Sequence, residues 1–278
     1  MNIRRHPVSA GLSALVIAFL WLPLVVVIIG SFDANGLLTT FTGATGHWYD
    51  QAAHNPNVRT GFETTLIIAV CSMLLSLLVA LSGALWWRRA PRRARAIYDA
   101  LVYARIVVPE VVFATALFFL FLKVHFTLGI PAIIVGHAVL NSAYSTIIIQ
   151  ARLIGTDPAL EEAAADLGAT PWRVFRRVTL ATLMPAIIAA GLLAFTFSLD
   201  DVVTSYFLQG TAQSPLPIVL LGMIRFRITP EINAVGVFVM FLTVALMTGA
   251  VGVLAGAGRL GRGSRSGRRS RLLGLYQG

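Results

Sequence analysis

Three carboxylates stand in stretches of chain that are otherwise apolar. Asp200 and Asp201 are adjacent in the run 183–208, and Glu110 follows Pro109 in the run 101–124. An ionised carboxylate at a bilayer centre costs at least about 2.5–3.5 kcal/mol on insertion scales, so such side chains tend to face a cavity or a partner. At 1.5 Å per residue the rise from Pro185 to Asp200 is roughly 22 Å, which puts the pair well along its helix. Apolar Val202 and Val203, then Tyr206 and Phe207, continue the run, so the pair is expected inside the helix rather than at its end. Adjacent helical residues point about 100° apart, leaving one Asp for a pathway and the other to brace a neighbouring helix. The plainer alternatives are a capping or interface position for the Asp pair and an Arg105–Glu110 ion pair.

Other chemistry is poorly served. Two aspartates adjacent on one helix make a poor catalytic dyad, because sharing a proton needs facing carboxylates. The single lysine, Lys123, follows Phe-Leu-Phe-Leu and not the Gly-rich turn of a phosphate-binding loop. Any ATP that drives this protein must be bound and hydrolysed by a partner, so no cofactor is expected in the chain itself. Cys71 stands alone, and the five histidines include no i, i+4 pair, which excludes an internal disulfide and argues against a zinc site. We assign no catalytic and no metal-binding residue.

The elements that must position the acids are membrane helices. The chain has 278 residues, is 57% hydrophobic and 12% charged, and carries a formal charge of +10. So little charge on so apolar a chain indicates an integral membrane protein of the all-α class. Six spans are expected, at about 8–29, 63–87, 101–124, 130–150, 183–208 and 231–256, within a transmembrane domain covering 1–258. The first is read as an uncleaved helix because it is too long for a signal h-region. Residues 31–61 read as a polar loop, with Trp48 and Tyr49 suited to the membrane interface. Residues 211–228 read as a Pro-bounded external segment with room for a re-entrant turn. A basic tail, 259–278, reads as disordered.

Arginines set the orientation. One side collects Arg4, Arg5, the group from Arg88 to Arg95, Arg152, Arg173, Arg176, Arg177 and the tail arginines. The other holds Arg59, Lys123, Arg225 and Arg227. The positive-inside rule then puts both termini in the cytoplasm. The basic excess is thus accounted for by topology and the lipid bilayer, and no nucleic-acid partner is expected.

The longest polar-containing stretch between spans is 161–185. Asp157-Pro158 is an N-cap and first-turn pair. Leu160, Ala163, Ala164 and Leu167 share one helix face, and Glu161, Glu162, Ala165 and Asp166 the other. Gly168 can end that helix in the left-handed conformation that Gly adopts cheaply. Thr170-Pro171 then starts a second helix, with Trp172 and Phe175 on one side and Arg173, Arg176 and Arg177 on another. The result is a helix, a sharp turn and a helix.

This stretch resembles the cytoplasmic EAA loop of binding-protein-dependent ABC importer permeases: Glu162-Ala163-Ala164, Gly168, Val178 and Leu180 fall at its spacing. That family usually has Pro after the Leu, where this chain has Ala181, with a proline at Pro185. The resemblance covers nearly the whole chain. Pro109-Glu110-Val111-Val112, the run Ser198-Leu199-Asp200-Asp201-Val202-Val203, Leu216-Pro217-Ile218 and Thr229-Pro230-Glu231-Ile232-Asn233-Ala234 resemble the second permease of spermidine/putrescine importers.

The resemblance implies a type I ABC importer permease fold of six helices in a bacterial inner membrane. It implies a second, homologous permease subunit, two copies of an ABC ATPase and an extracytoplasmic solute-binding protein. It makes 152–182 the ATPase-coupling loop, with Glu161, Glu162, Ala163, Ala164, Asp166, Gly168 and Ala169 as its coupling residues. The solute implied is a polyamine, for which Asp200, Asp201 and Glu110 offer charge pairing. Phe197 and Tyr206, and less directly Phe195 and Phe207, offer cation–π contacts of about 0.5–2 kcal/mol. Two other readings remain. One is a permease for another small solute, such as a phosphonate or an amino-acid derivative, for which Arg105, Arg225 and Arg227 would matter more. The other is an intramembrane Asp-dependent enzyme.

Overall fold

A computed structural model describes residues 7–36, 41–211, 213–226, 229–249 and 252. Helices are α1 Pro7–Gly30, α2 His47–His54, α3 Pro56–Arg89, α4 Arg92–Val107, α5 Glu110–Lys123, α6 Ile130–Ile154, α7 Ala159–Asp166 and α8 Pro171–Val174. A π turn, Phe175–Thr179, leads into α9 Leu180–Asp200, followed by α10 Val203–Leu208 and α11 Leu216–Phe226. A last helix, α12, runs Pro230–Gly249. Among the described residues the only β pairing is an isolated bridge between Asp33 and Ala44. Five helices are long and apolar enough to cross a membrane, and the bent pair α4–α5 makes a sixth span if counted as one. The arginines of the N-terminal residues 4 and 5 and of the tail lie outside the described residues.

The chain divides into two compact units, Met1–Phe62 with Pro215–Thr243 and Glu63–Ser214 with Val244–Gly278. In the first unit the segment expected to be a loop, 31–61, instead carries α2 and the first residues of α3. Pro56 suits a helix start because its missing N–H would have no intrahelical partner there. Trp48 and Tyr49, expected at the membrane interface, tie α2 to the end of α1. Trp48 Nε1 donates to the Asp33 carbonyl at 2.7 Å, and the Tyr49 hydroxyl lies 2.7 Å from Ser31 Oγ. Glu231, 5% exposed, accepts from Gln51 Nε2 at 3.1 Å and Asn55 Nδ2 at 2.8 Å, fastening α2 to the start of α12. Ala52, Val58, Leu216 and Val235 form the buried core of this unit.

In the second unit α6 is central, packing against α9, α4, α10 and α5. Its buried face is rich in small and polar residues, among them Gly136, Ala138, Asn141, Ala143 and Ser145. Small residues let helix backbones approach closely where no hydrophobic effect distinguishes protein from lipid tails. Ala80, Ala84, Ile149, Leu153, Leu183 and Ala190 join α3, α6 and α9 in one cluster, while Ile68, Phe121, Ala132, Ile133 and Leu208 form another.

Two expected spans are broken. The run 101–124 is two helices bent by 107°. The bend falls at Val108-Pro109: the residue before a proline is driven out of the helical region, and Val108 sits at φ −64°, ψ 125°. The run 183–208 is also not one helix. It stops at Asp200, and Asp201 is extended at φ −64°, ψ 112°. The Asp pair therefore does mark a helix end, contrary to the expectation from the apolar residues after it. The reason is local competition: Asp201 Oδ1 accepts from the Ser205 N–H at 3.0 Å, offering the backbone an alternative to continuing α9.

Candidate functional site

The bend and the break bring the three expected acids together. Glu110 opens α5, Asp200 closes α9, and Asp201 links α9 to α10. All three line one cavity of about 370 Å³ with Tyr144, Phe197 and Val202. The Phe197 ring meets Tyr144 edge-on with centroids 5.3 Å apart, giving the cavity an aromatic wall. Tyr206, expected in the pathway, is not among the lining residues; it lies on α10, with its ring against Phe207.

The acids differ in their surroundings. Asp200 and Glu110 are exposed to the cavity, whereas Asp201 is 8% exposed. Asp201 faces His137 of α6, whose Nε2 stands 3.4 Å from Asp201 Oδ1 and 3.2 Å from Ser205 Oγ. His137 Nδ1 lies 2.7 Å from Ser198 Oγ, which also accepts from Ser72 Oγ at 3.0 Å. Among the described residues no lysine or arginine forms an ion pair with Glu110, Asp200 or Asp201. The alternative Arg105–Glu110 pair is thus not formed; the Arg105 guanidinium stacks over Phe113, 3.8 Å from the ring centroid. The cavity gathers three acids and an aromatic wall around one space.

Tyr144 and His137 were missed by the sequence reading. His137, Asn141 and Ser145 recur at i, i+4, i+8 on α6, a polar stripe visible in the sequence. The residues that give His137 its setting lie 61 and more positions away in the chain, which no local pattern reports.

The second cluster is the helix–turn–helix at 157–179. Asp157 Oδ1 accepts from the Ala159 N–H at 3.0 Å, and Gly168 ends α7 at φ +80°. Thr170 occupies the N-cap position of α8 but its side chain makes no capping bond; Pro171 supplies the start. Of the expected coupling residues, Glu162, Ala163, Asp166 and Gly168 are exposed, and Ala164 and Ala169 half-buried. Glu161 is half-buried. Arg88, at the end of α3, holds it in a two-pronged ion pair: Nη1 donates to Oε1 at 2.8 Å, and Nη2 donates to Oε2. Thr179 Oγ1 also donates to Oε1, at 2.7 Å. The Arg88 guanidinium holds the Glu161 carboxyl below its ordinary range against the opposing effect of burial, with Thr179 adding to the depression.

Leu160 and Leu167, on the apolar face of α7, are 52% and 89% exposed, and Trp172 is 67% exposed. This elbow therefore presents apolar side chains outward while Glu161 is bound inward. A π turn at Phe175–Thr179, a widened turn, stands just ahead of Leu180.

Residues 72–258 match the family described as binding-protein-dependent transport system inner membrane component. The chain belongs to this family. The permease is 32% identical over 261 residues to the putrescine transport system permease protein PotI of Escherichia coli (strain K12), covering 91% of this chain and 90% of that protein. It is 29% identical over 232 residues to the spermidine/putrescine transport system permease protein PotC of Haemophilus influenzae, covering 84% and 90%. A solved bacterial alginate ABC transporter, in complex with an alginate pentasaccharide-bound periplasmic protein, shares the fold: TM-score 0.67 at 17% identity, covering 89% of this chain and 93% of that one. The all-α, type I importer permease architecture and the multi-pass inner-membrane setting follow. The family is one of transport components, not enzymes, so the Asp-dependent enzyme reading falls.

Proposed function

We propose that this permease carries a small polycation of the polyamine class and that the cavity bounded by Glu110, Asp200 and Asp201 is part of its path. The observation that carries this is the gathering of acids: three carboxylates line one cavity with an aromatic pair and no arginine or lysine ion-paired to them among the described residues. An ammonium group sheds water on entering such a site, and the fixed carboxylates and ring faces offset that loss. Binding must stay weak enough for cargo to leave, so the site acts as a relay. The similarity to putrescine and spermidine/putrescine permeases supports the same solute class.

Energy enters through the α7–α8 elbow, whose exposed Leu160, Leu167 and Trp172 suit a cleft in a partner ATPase. The complete transporter has two ATPase copies, a second permease and an external solute-binding protein. Both termini and the elbow are cytoplasmic, as the arginine distribution requires.

The test is uptake by cells expressing the full transporter, comparing labelled putrescine and spermidine with a phosphonate and an amino-acid derivative. Saturable, ATP-dependent uptake of the polyamines alone is expected. Uptake of the phosphonate in their place would overturn the assignment. A reporter fused at Gly258 should read cytoplasmic and one at Gly210 external.

A further inference from the structure

His137 is 1% exposed and sits where α6 meets the junction of α9 and α10. Its ring divides between two tasks. An ionised carboxylate only accepts, so the nitrogen facing Asp201 carries the hydrogen. That nitrogen is Nε2, 3.4 Å from Asp201 Oδ1 and 3.2 Å from Ser205 Oγ. In the neutral ring Nδ1 is then the acceptor, and the Ser198 hydroxyl donates to it across 2.7 Å. The ring thus bonds the last turn of α9 on one side and lies against the linking aspartate and Ser205 on the other. Asp201 in turn accepts the Ser205 N–H at the start of α10.

The preceding residue of α6 closes the same joint. A β-carbon at Gly136 would stand 2.5 Å from Leu208 Cδ1 and 3.0 Å from Thr204 Cγ2, so α10 lies directly on the α6 backbone. The Leu208 carbonyl also accepts the Gly129 N–H at 2.9 Å. The break after Asp200 is therefore held from α6, and Asp200 is left facing the cavity.

We propose that His137 is a positioning residue for the transport path: it holds Asp201 inward as the bracing acid of the α9–α10 break, and so leaves Asp200 and Glu110 as the carboxylates that meet cargo. This deepens the cavity reading and rests on it for the identity of the cargo.

The substitutions that separate its two bonds are His137→Gln and His137→Asn. A Gln amide reaches far enough to keep a donor on Asp201. An Asn amide keeps only the acceptor for Ser198. In the full transporter, His137→Gln should retain uptake, while His137→Asn should raise the apparent KM for putrescine about tenfold, the loss expected when a buried charged acceptor loses its donor. Membrane level and recovery of the ATPase should match the parent in both.

A second readout does not depend on cargo. In a Cys71→Ser background, Val202→Cys places a thiol on the cavity wall beside the break. Its labelling rate by a small water-soluble thiol reagent should change with His137→Asn and stay at the parent rate with His137→Gln. Equal behaviour of the Asn and Gln variants in both assays overturns the proposal, as does loss of assembled complex with Gln as severe as with Asn. A labelling change alongside normal uptake in Asp200→Asn would leave His137 as the brace and remove the cargo reading. Unchanged labelling with lost uptake in Asp200→Asn would do the reverse.

Discussion

The membrane cavity and the coupling elbow both contain carboxylates, and they treat them in opposite ways. At the elbow, Glu161 is matched by a full positive charge on Arg88 and a hydroxyl from Thr179. In the cavity, Asp201 has a histidine and a backbone N–H, while Glu110 and Asp200 have no ion-pair partner among the described residues. Arg105 comes near enough to attract Glu110 and Asp201 but rests its guanidinium on Phe113. Under the proposed function, the difference separates a joint from a path. A joint that must transmit motion gains from a closed, charge-matched contact between α3 and α7. A path for cations gains from charge left over, which the cargo completes and then vacates.

Reversing the charge at the joint should give the largest effect. Arg88→Glu places two acids together in a partly buried contact, so ATPase recovered with the permease, and uptake with it, should fall by about a hundredfold, near the upper end of what a hydrogen-bonded charge is worth. The double variant Arg88→Glu with Glu161→Arg should recover part of the loss. No recovery would mean that Arg88 acts through something other than Glu161.

A smaller loss is expected at the turn. Gly168 sits at φ +80° with open space around a built β-carbon, so the penalty of a side chain there is backbone strain alone. Holding a residue with a β-carbon in the left-handed region costs about 1–2 kcal/mol, more for a β-branched residue, so Gly168→Val should cut ATPase recovery about tenfold while the chain still inserts. Glu162→Lys, on the exposed face, should do less. Normal uptake with Gly168→Val would remove the elbow from the coupling step.

The smallest effect is a pH dependence confined to the joint. Glu161 is held below its ordinary value of 4.5 by Arg88. A carboxyl depressed in the folded state contributes stability that is fully present above the unfolded value and is lost as pH falls through the folded one. The difference in melting temperature between the parent and Arg88→Met, in detergent, should therefore be constant from neutral pH down to about 5 and shrink below 4.5. A difference that grows on acidification would contradict the pairing.

Much of this layout was legible in the sequence, for physical reasons that also mark its limits. Hydropathy located the membrane helices, since a bilayer imposes length and apolarity together. Gly168 was legible because few residues tolerate its conformation. Pro109 announced an interruption, but not the 107° bend, which depends on how α5 packs. The break after Asp200 was hidden because Ser198–Val203 contains no proline or glycine. It is made by a side-chain bond from Asp201 and a histidine on another helix. Helical periodicity put Glu161 on the face opposite Leu160, Ala163, Ala164 and Leu167, and it cannot see an arginine 73 positions earlier reaching across to that residue. Residues 31–61 read as a loop because their polarity is high, although it serves contacts such as Glu231 with Gln51 and Asn55.

The central claim is that the surplus carboxylates of the cavity carry the cation. Its most direct test is uptake of labelled putrescine and spermidine through the complete transporter with Asp200→Asn, Glu110→Gln and the two combined, at matched membrane levels. Asn and Gln keep size and hydrogen bonding and remove only charge. Asp200→Asn should reduce uptake about tenfold, or 1.4 kcal/mol in effective barrier, with the double variant lower still and ATPase recovery unchanged. Parental uptake in both single variants and in the double would contradict the account.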